Sequence, residues 1–325
     1  MVPVTPLADM RELDYARFCR QFEKASTAAI LQRDPQQCVV LANDISEGPD
    51  FAALGARGYR VVTIWHVDVV EYFTKFYLHN FVRPETVSKF RKFGLLPDVL
   101  RLVFQKQYEC VRHSVRHVVP SEPMRENILR CYPFCLPENI VVVPWGNIAS
   151  ATTPTNVDIP EEEFVIMTLS RLSPEKGIER LLAALPFVTG KVRVWICGAP
   201  AYMKGKRYEK KLRRMADGRV EFMGHVTGER KAALLHRADL FVSASRHESY
   251  GLTIAEAEAA GCRVISHGHY GARGHVVDCE NPKELAEAIS EMARAGRQPK
   301  TSVTMRSEAA EKLKAVLESV VPRPR

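Results

Sequence analysis

Nowhere in the 325 residues does an apolar run reach the roughly 18 residues that a membrane-spanning helix needs, so the sequence predicts no transmembrane segment. The opening residues lack a positively charged region followed by an apolar stretch, which argues against a secretory leader and predicts a cytoplasmic protein, with peripheral contact at the inner face of a membrane left open. None of the eight cysteines stands in a C-x2-C pair. They are scattered, several within apolar strands, and read as reduced core thiols rather than as disulfides or a zinc site. No Gly-x-Gly-x-x-Gly follows an early strand, which ranks a dinucleotide oxidoreductase last. Internal repeats and low-complexity tracts are missing as well.

What is present is an ordinary apolar fraction and an excess of positive charge, +8, which favours acidic partners: nucleotide diphosphates, anionic lipid or nucleic acid. No nucleic-acid module or run of stacking aromatics accompanies the charge, so nucleic acid is not expected. The most basic run, Lys204 to Met215, places Tyr208, Leu212 and Met215 on one helical stripe with the cations opposite, the pattern of a solvated helix face. Lys89 to Leu96 alternates Phe90 and Phe93 with cations before Leu95 and Leu96. It reads first as a loop and helix start, and second as a segment able to lie on an anionic membrane.

Strands and helices alternate along the whole chain, which predicts an α/β fold with mostly parallel sheets. The length suits two domains, and the polar, Thr-rich stretch Ala149–Asn156 is the best boundary, giving an N-terminal domain over 1–150 and a C-terminal domain over 151–325. In the second half, strands are expected at 164–169, 192–197, 220–223, 240–244 and 263–265, with helices beginning near Pro174, Lys206, Thr227 and Leu252. Ser173 suits the N-cap before Pro174.

The most informative stretch is Arg246 to Gly261. A strand ending at Ala244 is followed by a loop, by Gly251, and by the helix-forming run Leu252–Ala260 closed by Gly261. A helix N-terminus opening into a loop offers free N–H groups and the positive end of the macrodipole, a ready site for phosphate. Glu248 lies before this terminus and Glu256 inside the helix, eight positions apart. Carboxylates do not bind phosphate, but they accept hydrogen bonds from sugar hydroxyls flanking a diphosphate. The combination suggests a nucleotide-sugar.

Glu248 and Glu256 match the E-x7-E pattern of the retaining glycosyltransferases of family 4, and the segment from about Glu163 to Ser266 resembles their donor-binding half. A second element agrees: the strand Phe164–Leu169 runs into Ser170–Gly177, where Arg171 and Lys176 fill the places of the cations that the family directs at the donor diphosphate. The resemblance implies the GT-B architecture of two Rossmann-like parallel-sheet domains, and a donor site made of Arg171, Lys176, Glu248, Gly251, Leu252 and Glu256. Glu248 would hold the donor sugar and Glu256 the nucleotide ribose. His66, closing the strand that ends Ile64-Trp65, stands where the family places a histidine facing the reacting sugar, although a strand-end histidine satisfied by local backbone has the same signature. Arg171, Lys176, Glu248 and His66 are thus the expected catalytic residues. Ser121 resembles a loop serine of the family, and Glu258 reads as surface or structural.

The chain also departs from the pattern. No Gly-rich loop precedes Cys38, so the N-terminal domain is expected to be reduced, and Trp145 replaces the usual Asn in the turn before the linker. The absence of Asp-x-Asp argues against a metal-anchored diphosphate, and no cofactor is expected beyond the nucleotide-sugar substrate itself. His267, His269, His275 and Cys279 invite a zinc reading, but their spacing matches no known site and a flexible Gly/His loop is expected. The expected activity is metal-independent transfer of a sugar, with retention, to a carbohydrate or lipid-linked acceptor in polysaccharide or glycolipid synthesis. A non-catalytic nucleotide-sugar-binding or regulatory protein, and a sugar-nucleotide epimerase or phosphorylase, are the rivals.

Overall fold

The computed structural model describes residues 12–78, 81–92, 98–146, 163–201, 205–300 and 308–321. The chain forms two compact units, one of residues 1–145 with 308–325 and one of residues 146–307.

In the first unit the strands β1 (Val39–Ala42), β2 (Arg60–Ile64), β3 (Arg116–Val119) and β4 (Ile140–Val142) form a parallel sheet in the order β1-β2-β3-β4. The helices are α1 (Glu12–Ile30), α2 (Phe51–Ala56), α3 (Val69–Tyr77), α4 (Pro84–Val87), α5 (Asp98–His113) and α6 (Glu122–Cys131). Val61, Val62, Ile64 and Trp65 are all buried, as expected of a parallel strand covered on both faces. A buried carboxylate organises the helices. Asp68 caps α3 by accepting from Val70 N and Glu71 N, and also accepts from Gln107 Nε2 of α5 at 3.0 Å and Asn127 Nδ2 of α6 at 2.6 Å. Burial pushes its carboxyl up, and these donors pull it back toward the charged form.

The boundary read from the sequence assigns the last helix to the second domain, and this is corrected. Helix α12 (Ala309–Val320) belongs to the first unit: Val316 and Val320 pack with Val62, Ile64, Val118 and Val143, and Arg60 Nη1 donates to Val320 O at 3.2 Å. An amphipathic pattern says that a helix covers a sheet, but not which sheet.

The second unit contains β5 (Phe164–Leu169), α7 (Ile178–Ala184), β6 (Val192–Cys197), α8 (Gly205–Met215), β7 (Val220–Gly224), α9 (Gly228–Arg237), β8 (Leu240–Ser243), α10 (Leu252–Ala259), β9 (Arg263–His267), β10 (His275–Val277) and α11 (Pro282–Arg294). Its parallel sheet runs β10-β9-β8-β5-β6-β7. Every residue of β5 is buried, and alternate side chains serve opposite layers. Phe164 and Ile166 pack in the cluster that holds Leu181, Leu212 and Leu285, whereas Val165, Met167 and Leu169 pack with Leu234, Ile254 and Val264. Each such side chain, fully buried, contributes about 1.5–3 kcal/mol. Strand β10 was not expected, because two of its three residues are exposed and it leaves no apolar run in the sequence.

The helix predicted from Pro174 also needs correction. Pro174–Lys176 is a single 3-10 turn, and Gly177 then adopts φ 61° before α7 starts at Ile178. A Cβ on Gly177 would lie 2.2 Å from Ala244 O, so the glycine permits both the left-handed turn and a close approach to the end of β8.

Candidate functional site

The order of the second sheet locates the site before any side chain is considered. From β5 the chain runs outward through β6 and β7, then returns to β8 on the other side of β5 and continues to β9 and β10. The reversal falls between β5 and β8, and ligands of open α/β sheets bind outside the carboxyl ends of the strands at that point. The loops leaving β5 and β8 are the two that carry the motif residues.

Three contacts stitch these loops together. Arg246 N donates to Glu175 O at 2.9 Å, Arg180 Nη1 donates to Ala244 O at 3.1 Å, and Lys176 Nζ donates to Glu248 Oε1 at 2.8 Å. Ser245 Oγ donates to the same Glu248 oxygen at 2.7 Å. Burial alone would push the Glu248 carboxyl up, but the Lys176 charge and the two donors outweigh it and hold the group below the usual carboxylate range. Arg171 sits on the same rim, 56 % exposed, with Nη2 3.7 Å from Glu175 Oε1, so it joins the cluster through Glu175 rather than through Glu248.

Beyond Glu248 the chain turns at Gly251, φ 74°, which serves as N-cap of α10 and offers no side chain to its N–H groups. Leu252, the first helical residue, is 44 % exposed. A second loop clasps this turn from behind: Gly271 N donates to Glu248 O at 2.9 Å, and a Cβ on Gly271 would lie 2.4 Å from the carbonyl carbon of Tyr250. Arg273 covers the Tyr250 ring at 4.4 Å and reaches Glu258 at 3.3 Å, which makes Glu258 a structural partner of this clasp. Glu256, further along α10, accepts from Lys231 Nζ of α9 at 2.8 Å.

Lys176, Glu248, Gly251 and Leu252 therefore gather at the reversal point of one sheet, with Arg171 on its rim and Glu256 on the helix that follows. His66 lies in the first unit, exposed after β2, with Nε2 3.3 Å from Asn43 Oδ1. Ser121 occupies the N-cap position of α6. Sequence reasoning missed Ser245, Lys231, Glu175 and Gly271. Lys231 looks like any surface lysine of an amphipathic helix, and Gly271 like any glycine of a polar loop.

The remaining sequence features take ordinary roles. Among the described residues no group of three His, Cys, Asp or Glu side chains is arranged to hold a metal ion, and His267 Nδ1 instead accepts from Cys279 N at 3.2 Å. Helix α8 buries Tyr208 and Leu212 and turns its cations outward, but Met215, expected on the buried stripe, is 37 % exposed. Phe90 is half-buried, whereas Phe93 and Leu95 lie outside the described residues. No described helix is long and apolar enough to cross a membrane.

Comparison with solved structures establishes the fold. HepE of Anabaena, solved with UDP and glucose, superposes with a TM-score of 0.61 at 18% identity, covering 89% of this chain and 81% of that one. Sucrose-phosphate synthase of Thermosynechococcus elongatus gives 0.67 at 18% identity, covering 98% and 79%. The architecture is that of these two-sheet, GT-B-like proteins. Among curated relatives, the gpi3 subunit of Schizosaccharomyces pombe phosphatidylinositol N-acetylglucosaminyltransferase is 29% identical over 175 residues, 52% of this chain and 38% of the relative. Alpha-monoglucosyldiacylglycerol synthase of Streptococcus pneumoniae is 32% identical over 118 residues, 35% and 26% respectively. The chain thus spans less than half the length of these relatives. Over residues 163–295, which hold both motif loops, it matches the family model of the glycosyl transferases group 1.

Proposed function

We propose that the protein is a retaining glycosyltransferase of family 4 that binds a nucleotide-diphosphate sugar in its second unit and transfers the sugar to an acceptor hydroxyl without a resident metal. The observation that carries this reading is the Lys176–Glu248 pair at the sheet's reversal point, set beside the N-terminus of α10. A diphosphate placed there would meet fixed positive charge from Lys176, Arg171 and the first N–H groups of α10, while Glu248 and Glu256 lie within reach of hydroxyls on either side of it.

The chemistry follows from where charge develops. As the bond between the anomeric carbon and the leaving phosphate oxygen breaks, negative charge grows on the diphosphate, and preorganised donors lower the barrier most effectively where that charge appears. The acceptor oxygen forms the new bond to the anomeric carbon, and its proton passes to the departing phosphate oxygen on the same face, which preserves configuration. Glu248 orients the donor sugar and Glu256 accepts from the ribose.

One curated relative is named for N-acetylglucosaminyl transfer to phosphatidylinositol and the other for synthesis of a glucosyldiacylglycerol, which supports a lipid-linked acceptor here. The test is calorimetry with UDP and GDP, followed by product analysis with UDP-glucose and a panel of acceptors, with magnesium or with chelator. Transfer that survives chelation and retains the α configuration supports the reading. Nucleotide binding without turnover would favour a regulatory protein, product without acceptor an epimerase, and full dependence on magnesium would remove the metal-free mechanism.

A further inference from the structure

We infer that the outer face of α1 is an interface on which a second copy of this chain docks, with the two α1 helices running antiparallel. This concerns the first unit alone and does not depend on the transferase reading. The inward face of α1 is tied down: Cys19 and Thr27 are buried, Thr27 Oγ1 accepts from Asp50 N at 2.8 Å, and Glu23 pairs with Lys106 of α5 at 2.8 Å. At about 100° per residue, Tyr15, Phe18, Phe22, Ala25 and Ala29 fall in a second stripe about 80° wide, beside that face rather than on it. This stripe is left open. Tyr15 and Phe22 are 37% and 41% exposed, Ala25 and Ala29 are exposed, and Phe18 is half-buried with its ring 6.1 Å from that of Phe22. A helix that packs on one core needs one apolar stripe, and α1 has two.

The open stripe is complementary to itself. Its first half is aromatic and its second half is alanine. Antiparallel pairing about a two-fold axis between Phe22 and Ala25 sets Phe22 against Ala25 of the second copy and Phe18 against Ala29 of the second copy, so that each ring enters the space an alanine leaves. Parallel pairing would set ring on ring and alanine on alanine. Charge agrees with the antiparallel register. On its solvent side the stripe is bordered by Gln21 and Ala28, which would face one another, and Asp14 is already paired with Arg17 at 3.3 Å. A lipid surface fits less well, because Arg17, Arg20 and Lys24 lie about 120–180° around the helix from the centre of the stripe, away from any headgroup it would meet. The paired run, residues 18–29, is about 17 Å long. It buries less than the ~1,600 Å² of a standard interface, so the dimer should be a weak one that needs micromolar chain to form.

Sedimentation velocity of the whole protein between about 1 and 100 μM should show the 36.7 kDa monomer giving way to the dimer. Phe22→Ala and Ala25→Phe should each weaken dimerisation by about ten-fold or more, the first by leaving a hole and the second by setting ring against ring. The swap Phe22→Ala/Ala25→Phe has the composition of the wild type and should return to within about three-fold of its affinity. All the altered side chains are exposed, and far-UV circular dichroism checks that each variant folds. Wild-type protein that stays monomeric throughout, or a dimer that neither single substitution weakens, would overturn the inference. A swap no better than the single variants would overturn it too, since a merely adhesive stripe gains nothing from exchanging its ring and its alanine. Monomeric protein that sediments with phosphatidylglycerol vesicles, and loses that binding in Phe22→Ala, would give the stripe to a membrane instead.

Discussion

Lys176 and Glu248 are separated by 72 positions in the chain, yet Nζ and Oε1 lie 2.8 Å apart with both side chains less than one-fifth exposed. Removing one partner leaves a desolvated charge behind, whereas removing both does not. Lys176→Met and Glu248→Gln should each lower stability by about 1–3 kcal/mol, and the double variant should recover part of that loss. If Lys176 faces the leaving diphosphate and Glu248 the donor sugar, turnover should not recover with it, falling by about a hundred-fold or more in all three. Urea denaturation and steady-state kinetics on the four proteins check both halves; a double variant that regains activity along with stability would reduce the pair to a structural strut.

Glu256 and Lys231 form the second such pair, on neighbouring helices at 2.8 Å. If Glu256 accepts from the ribose, Glu256→Ala should weaken UDP binding by about ten-fold or more, since a buried donor–acceptor contact is lost. Lys231→Met should produce a smaller loss by freeing the carboxylate to rotate. Calorimetry with UDP alone gives the comparison. Equal affinity for UDP in the wild-type protein and Glu256→Ala would take the ribose role away from Glu256.

Gly271 bears no chemistry, yet its position should make it indispensable. An alanine Cβ there would sit 2.4 Å from the Tyr250 carbonyl carbon and 2.8 Å from Gly251 N, both backbone atoms that cannot swing aside. Gly271→Ala should therefore push apart the turn that sets Glu248 and the start of α10, and, if the proposed donor site is right, greatly weaken UDP binding. Gly218→Ala, where a Cβ meets nothing within 4 Å, serves as the control and should leave binding unchanged. Donor binding by the Gly271 variant within two-fold of wild type would show that the clasp is not needed to shape the site.

How much of this was legible in the sequence differs by level. Buried strands such as Phe164–Leu169 and Leu240–Ser243 announced themselves because a parallel strand covered on both faces is a continuous apolar run. The two motif loops could be placed at strand ends for the same reason. Lys231 and Gly271 could not be found, because their importance comes from what folding brings next to them and not from their own neighbourhood in the chain. The Pro174 helix failed at one residue: Ser173-Pro174 is a sound helix start locally, but Gly177 was free to turn left-handed toward Ala244, and tertiary approach won. Helix α12 has the opposite lesson, with its amphipathic face evident and its destination invisible.

The first unit should carry a pH dependence separate from the candidate site in the second. His117 on β3 is fully buried, and its Nδ1 accepts from Trp65 Nε1 at 3.3 Å, an arrangement that requires the neutral imidazole. Burial pushes its pKa down to about 4, from an ordinary value near 6.5 that the unfolded chain retains. Between these values the unfolded state binds a proton that the folded state refuses, so stability is full above about pH 6.5 and declines as pH falls toward about 4. The loss from this one group approaches about 3 kcal/mol. His117→Gln, which keeps an acceptor for Trp65 and does not titrate, should flatten the profile over that window. Amide exchange in β3, corrected for the intrinsic rate at each pH, reads the first unit separately from the second. If wild type and variant show parallel profiles, His117 is not the group that loosens this unit in acid.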